Sequence, residues 1–159
     1  STPIKSSAAS DVYKETGVQW PGRFERLETP PLVLDGAHNE HAARVLAATW
    51  KEEFPGRKAA LVFAASADKH IREMIPVLRE IAGEWHLVPC TSPRIMPAQE
   101  MAALLAGQET GPVFIHSTLP DGLQAALASP FPALAAGSLF LLGDLKALLR
   151  HAEKRSTAQ

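Results

Sequence analysis

The residues with the clearest chemical potential form one run, Leu32-Val-Leu-Asp-Gly-Ala-His-Asn-Glu-His41. Asp35 closes an apolar stretch, Gly36 permits a tight turn, and His38-Asn39 lead into a segment of helical period. A carboxylate at a strand tip is offered to a crevice. Asn39, the only asparagine of the chain, is a strong helix N-cap. A helix N-terminus presents free N–H groups and the positive end of a dipole, which suits an anion. The same residue types also serve purely as turn and cap, and the pattern alone leaves both roles open.

A second run, Trp20-Pro-Gly-Arg-Phe-Glu25, stands just ahead. A Pro-Gly turn can hold the Arg23 guanidinium for bidentate contact with phosphate. A solvated Arg23 paired with Glu25 is the plainer reading. Asp68-Lys69-His70 and Thr91-Ser-Pro-Arg94 follow later apolar runs, so Arg94 is placed to clamp a carboxylate or to face water. Ser138 leads what reads as the last strand. Cys90, the single cysteine, has no base tied to it by a motif and reads as an idle thiol. His38 and His41 flank Glu40, but no third ligand at zinc spacing accompanies them, so no metal site is expected.

Composition narrows the classes. The chain has 159 residues, with 46% apolar and 21% charged, the balance of one globular domain. Sixteen Lys+Arg against seventeen Asp+Glu leave a net charge of −1, which argues against a nucleic-acid binder working through a general positive field. No apolar run is long enough to span a bilayer, so no membrane partner is expected. One cysteine excludes an internal disulfide framework and fits a reducing, cytoplasmic compartment. Neither a G-x-x-x-x-G-K-[ST] phosphate loop nor a G-x-G-x-x-G fingerprint is present.

Elements must position these residues. Short apolar runs at 32–34, 59–65, 85–88, 113–115 and 139–142 suit strands buried on both faces. Between them, apolar residues recur at helical spacing: Ala43 to Phe54, Ile71 to Ala82, Met101 to Leu105, Leu123 to Leu127, and Leu145 to Ala152. Pro76 predicts a kink or restart in the second helix. Gly83 is among the glycines that punctuate the blocks, and residues 129–137 read as an ordered connection. Alternating strands and helices predict an α/β fold, a Rossmann-like, mostly parallel sheet with helices on both faces. Ligands in such sheets bind beyond the carboxyl ends of the strands, here 35–39, 66–70, 89–94, 116–118 and 143–144.

The ordered set Trp20-Pro-Gly-Arg-Phe-Glu25, Leu34-Asp-Gly-Ala-His-Asn39, Asp68-Lys69, Ser92-Pro-Arg94 and Gly137-Ser-Leu-Phe-Leu-Leu-Gly143 resembles the C-terminal domain of folylpolyglutamate synthase/dihydrofolate synthase, in the Mur ligase superfamily. The first two motifs are the specific ones. The resemblance runs from about Trp20 to Ala152. It implies an arm or interdomain remnant over 1–19, a Mur ligase-type C-terminal domain over 20–154 and a tail over 155–159.

The resemblance also implies a reaction. ATP and magnesium activate a folate carboxylate (dihydropteroate or tetrahydrofolate) as an acyl phosphate, and the amine of L-glutamate attacks it. An N-terminal P-loop ATPase domain would hold the nucleotide and most of the folate. Arg23, Asp35, His38 and Asn39 then take nucleotide-binding roles, with His38 near the reacting γ-phosphate as the catalytic candidate. Arg94, Ser138, Asp68 and Lys69 fall to the amino-acid substrate. His70 stands where the family often has an acidic residue. A domain carrying half a cleft is expected to be inactive alone. Two other readings remain: a non-catalytic binding module of the same fold, and the C-terminal domain of a cell-wall Mur-type ligase.

Overall fold

In the computed structural model, which describes residues 20–68 and 70–158, the apolar runs become a six-stranded sheet. The expected arm at 1–19 and Lys69 lie outside the described residues. The elements are β1 (Glu25–Glu28), β2 (Pro31–Asp35), α1 (Glu40–Glu53), β3 (Ala59–Phe63), α2 (Ile71–Leu78), β4 (Ala82–Leu87), α3 (Ala98–Leu105), β5 (Val113–Ile115), α4 (Leu119–Ala128), β6 (Ala133–Ala136) and α5 (Leu139–Thr157). The order across the sheet is β1-β2-β6-β3-β4-β5. Only β1 runs antiparallel, as a hairpin with β2. The other pairings are parallel, as the doubly buried apolar runs predict.

Side chains of one strand alternate between two cores. Leu61 and Phe63 of β3 face one side, where they meet Leu46 and Trp50 of α1, Met74 of α2 and Met101 of α3. Ala60 and Val62 face the other, against Leu123 of α4 and Leu141 and Leu145 of α5. Helices therefore cover both faces, and all of β3 is buried.

The last strand differs from the sequence expectation. Residues 139–142 are the first turn of α5, not a strand, and 143–144 lie inside that helix. Ser138 caps α5 through its hydroxyl, which accepts the N–H of Phe140 at 3.0 Å. The strand is β6, four alanine-rich residues within the stretch that reads as a connection. Small residues are what the centre of the sheet accommodates here. Ala136 is paired with both Asp35 of β2 and Phe63 of β3.

Smaller differences follow the same rule that tertiary pairing overrides local pattern. Glu25–Glu28, outside every expected strand, pairs as an edge strand. Ile81 and Ala82 leave the helical pattern, and Ala82 opens β4, which takes in Gly83. Helix α2 runs through Pro76 without a restart and ends two residues later.

Candidate functional site

The strands β2, β6 and β3 end level with one another, since Asp35, Ala136 and Phe63 share one register line. The segments that follow them, 36–39, 137–138 and 64–68, therefore meet at one edge of the sheet. This is the carboxyl edge, where ligands of such sheets bind.

Asp35 is buried, with 4% of its surface exposed, and its carboxylate joins two turns. One oxygen accepts the N–H of Phe24 at 2.9 Å, and the other accepts that of Ala37, also at 2.9 Å. The N–H of Gly36 reaches the carbonyl of Gly22 at 2.7 Å. The two motifs of the sequence are thus one unit, 11 residues apart in the chain and fastened through a buried carboxylate. Phe24 takes a positive φ of 44° inside this unit. Burial of the Phe24 ring against Trp50 and Phe54 accompanies that conformation.

Arg23 stands exposed on the same turn, whose N–H to Trp20 carbonyl bond is 3.1 Å. Glu25 is not its partner. The Glu25 carboxylate accepts the N–H of Gly22 at 3.0 Å and pairs with Lys146 of α5 at 2.9 Å. Burial pushes that carboxyl up, but Lys146 and the Gly22 N–H outweigh it and hold it below its ordinary value. Glu25 thereby ties the arginine turn to the helix on the far face of the sheet.

His38 is exposed, and its Nδ1 donates to the carbonyl of Gly36 at 2.9 Å. A carbonyl only accepts, so this bond assigns the proton to Nδ1 and leaves Nε2 free to accept in the neutral ring. Asn39 caps α1, its Oδ1 accepting the N–H of Ala42 at 2.8 Å. Its capping role reads directly from the sequence.

Two adjoining cavities open at this edge. One, of about 390 Å³, lies among Gly22, Arg23, Asp35, His38, His41 and Leu139. The other, of about 280 Å³, lies among His38, Ser66, Asp68, Met74, Ser138 and Leu139. His38 and Leu139 border both. Leu139 is 63% exposed at the tip of α5. Its run has the local pattern of a strand; the Gly137-Ser138 pair before it is the helix-cap signal that marks it.

The remaining candidates divide. Ser138 and Asp68 line the smaller cavity, with Ser138 buried and its hydroxyl engaged as the cap. Asp68 is exposed and accepts the N–H of His70 at 2.9 Å. Arg94 borders neither cavity. Its carbonyl accepts the N–H of Ala67 at 3.1 Å, which sets its loop beside the 66–68 segment. Cys90 is half-buried near Asp144, and burial first, then that negative charge, push its thiol up to about 12. Among the described residues no group of three or more His, Cys, Asp or Glu is placed to hold a metal ion. No described helix is long and apolar enough to cross a membrane.

Comparison with known proteins bears on this geometry. Residues 22–142 match the family described as Mur ligase, glutamate ligase domain. The chain is 33% identical over 138 residues to the dihydrofolate synthase/folylpolyglutamate synthase of Bacillus subtilis, covering 82% of this chain and 31% of that protein. A Mycobacterium tuberculosis folylpolyglutamate synthase, solved with ADP and AMPPCP, superposes with a TM-score of 0.71 at 26% identity. That match covers 82% of this chain and 32% of the other. A bifunctional folylpolyglutamate synthase/dihydrofolate synthase with Mn, AMPPNP and L-glutamate bound gives 0.69 at 29% identity, over 84% of this chain and 33% of its own. The chain therefore spans about a third of the length of the relatives it matches.

Proposed function

From the premise that this chain belongs to the Mur ligase family through the glutamate ligase domain, we propose that it is the C-terminal domain of an ATP-dependent ligase that joins L-glutamate to a folate. The observation that carries the reading is the convergence of Arg23, His38, Ser138 and Asp68 on two cavities sharing one wall. A ligase of this kind needs two such places, one for a phosphate chain and one for an amino acid, with the reacting atoms between them.

In this reading the larger cavity takes the nucleotide side. Arg23 supplies a fixed cation for charge spreading over a transferring phosphoryl group. Its mobility is limited by the turn that Asp35 fastens. Asp35 acts on the nucleotide by holding this wall, since both its oxygens already accept backbone N–H groups; Asn39 orients the start of α1. His38, at the border of both cavities, presents Nε2 toward the reaction zone. The smaller cavity takes the amino acid, with Asp68 offering a carboxylate to an ammonium group and Ser138 in its wall; Arg94 stands outside it, on the loop beside residues 66–68. Lys69 belongs to the same segment.

ATP with Mg²⁺ would supply the activation of the folate carboxylate, held mainly by an N-terminal P-loop ATPase domain of the same enzyme. Arg23 and His38 are the groups of this chain that fit a phosphate ligand. The folate relatives support a folate substrate over a cell-wall precursor.

The test is glutamate incorporation into dihydropteroate or tetrahydrofolate, followed with ADP release, for this chain alone and for the full-length enzyme carrying it. The reading expects turnover only in the full-length protein. Turnover by the chain alone, or a full-length enzyme that never incorporates glutamate, would overturn it.

A further inference from the structure

Away from the site, four polar side chains form one line at the β4–β5 edge of the sheet. Ser129, in the loop after α4, donates its hydroxyl proton to one oxygen of Glu84, while accepting the N–H of Phe131 at 3.1 Å. The other Glu84 oxygen faces Nε2 of His86 at 3.1 Å. Nδ1 of His86 faces Nε2 of His116 at 2.9 Å. His86 is only 3% exposed, and its ring is stacked at 5.2 Å on Phe114 and at 5.1 Å on His116.

This arrangement has one neutral pattern. A carboxylate only accepts, so His86 donates from Nε2 to Glu84. Nδ1 of His86 is then an acceptor, and His116 donates to it from Nε2. One added proton leaves every bond in place, because one ring then donates across the 2.9 Å contact and the other presents a bare nitrogen to it. A second proton is different. It sets two N–H groups against each other at 2.9 Å, in a place with almost no water to separate them.

The relay spans what would otherwise be a weak edge. Strand β5 has three residues, and its Phe114 and Ile115 are 44% and 47% exposed. Its backbone link to β4 continues through the N–H of His116, which donates to the Leu87 carbonyl at 2.9 Å. A Cβ on Gly122 of α4 would lie 3.3 Å from the His116 ring, so the ring rests on the first turns of that helix. Other charges border the relay without entering it. Asp121 of α4 is exposed, Arg57 donates to the Pro130 carbonyl at 3.4 Å, and Lys58 donates to the Glu80 carbonyl at 2.5 Å. The neighbours of Glu84 and His86 on β3 are Ala60 and Val62, which cannot titrate.

We propose that Glu84, His86 and His116 form a pH-operated clasp on β5: it is closed while the two rings share no more than one added proton, and it releases β5 and the start of α4 when a second proton sets two N–H groups against each other. The catalytic edge at β2, β6 and β3 is not part of the clasp, so release is local. The idea does not depend on the ligase reading.

Amide hydrogen exchange by NMR on this chain, corrected for intrinsic rates, tests the clasp. Between about pH 7.5 and about pH 4.5, protection at Phe114 and His116 should fall about tenfold or more relative to Leu34 and Ala135. His86→Phe, which keeps the stack and cannot take the proton, should abolish that relative fall. Ring ¹⁵N shifts of the unmodified chain provide a check that needs no variant: His86 should carry its proton on Nε2 at neutral pH. A uniform loss of protection, an unchanged fall in His86→Phe, or a His86 ring protonated on Nδ1 at neutral pH would overturn the proposal.

Discussion

The carboxylate of Asp35 accepts the backbone N–H of Phe24 at 2.9 Å, from a position almost wholly out of water. Through that bond the arginine turn and the histidine turn become one rigid wall. Arg23 and His38 owe their relative placement to a residue that itself has little surface to offer a ligand.

Asp35→Ala should therefore act on stability as well as on any ligand. It leaves the N–H groups of Phe24 and Ala37 without their partner, at about 1–3 kcal/mol for each buried group. Urea unfolding measures the loss. A variant within experimental error of the parent would show that the bonds are dispensable.

Two neighbouring glycines should respond unlike each other. Gly137 has a φ of 120°, and a Cβ there would run into the Ala64 carbonyl and the Phe63 ring. Gly137→Ala should cost at least about 3 kcal/mol, since strain and a backbone clash add. At Gly36 the added Cβ meets Leu139 Cδ2 at 2.5 Å, the end of an exposed and flexible side chain. Gly36→Ala should cost less in thermal melting but turn Leu139, reshaping both cavities.

Stability should fall on acidification in two separate windows. Burial chiefly, with the charge of His116 adding, holds His86 below its ordinary 6.5 against the opposing pull of Glu84. The unfolded chain then binds more protons than the folded one, so this contribution is present above about 6.5 and is lost as pH falls toward the lower folded value. Glu25, held below its ordinary 4.5 despite burial, contributes above that value and loses it at still lower pH. Denaturation midpoints against pH should show the upper window vanish in His86→Phe and the lower one shrink in Lys146→Ala.

Cys90 should be nearly inert in the folded chain. A thiol pushed from 9.0 up to about 12 has about a thousandth of the usual thiolate at mildly alkaline pH. Alkylation by iodoacetamide, followed by mass spectrometry, should be slow in buffer and fast in urea. Equal rates would contradict the buried environment.

On the proposed ligase reading, Arg23→Ala in the full-length protein should lower kcat by about 10²–10³-fold, through loss of a fixed charge at the transition state. Arg23→Lys should recover part of it, because the charge returns without the bidentate fork. A change confined to KM for glutamate would instead move Arg23 to the amino-acid side.

Most of what the residues reveal on their own is local. Asp-Gly-Ala-His-Asn reads as strand end, turn and cap, and the cap bond from Ala42 to Asn39 follows from short-range chemistry. The runs at 32–34, 59–65 and 113–115 are apolar on both faces and read as buried parallel strands; the first two form buried β2 and β3, whereas β5 is parallel but lies at an edge with Phe114 and Ile115 exposed. The run at 139–142 carries the same local signal as a strand, yet it opens α5, while four alanine-rich residues make β6. Periodicity cannot separate those cases, since a short apolar run suits either state. Space decides: β6 must fit between β2 and β3 under helices on both faces, and small side chains fill that layer. Long-range pairing likewise created the Asp35 bond to Phe24 and the line from Ser129 through Glu84 and His86 to His116. Apart from Glu84 and His86, two residues apart on β4, those groups lie 11 to 45 residues apart, and nothing in their local spacing requires them to meet. The sequence by itself determined which groups were available and where β2 ends; the tertiary structure decided which of them touch, because contact between distant residues is set by the register of the sheet.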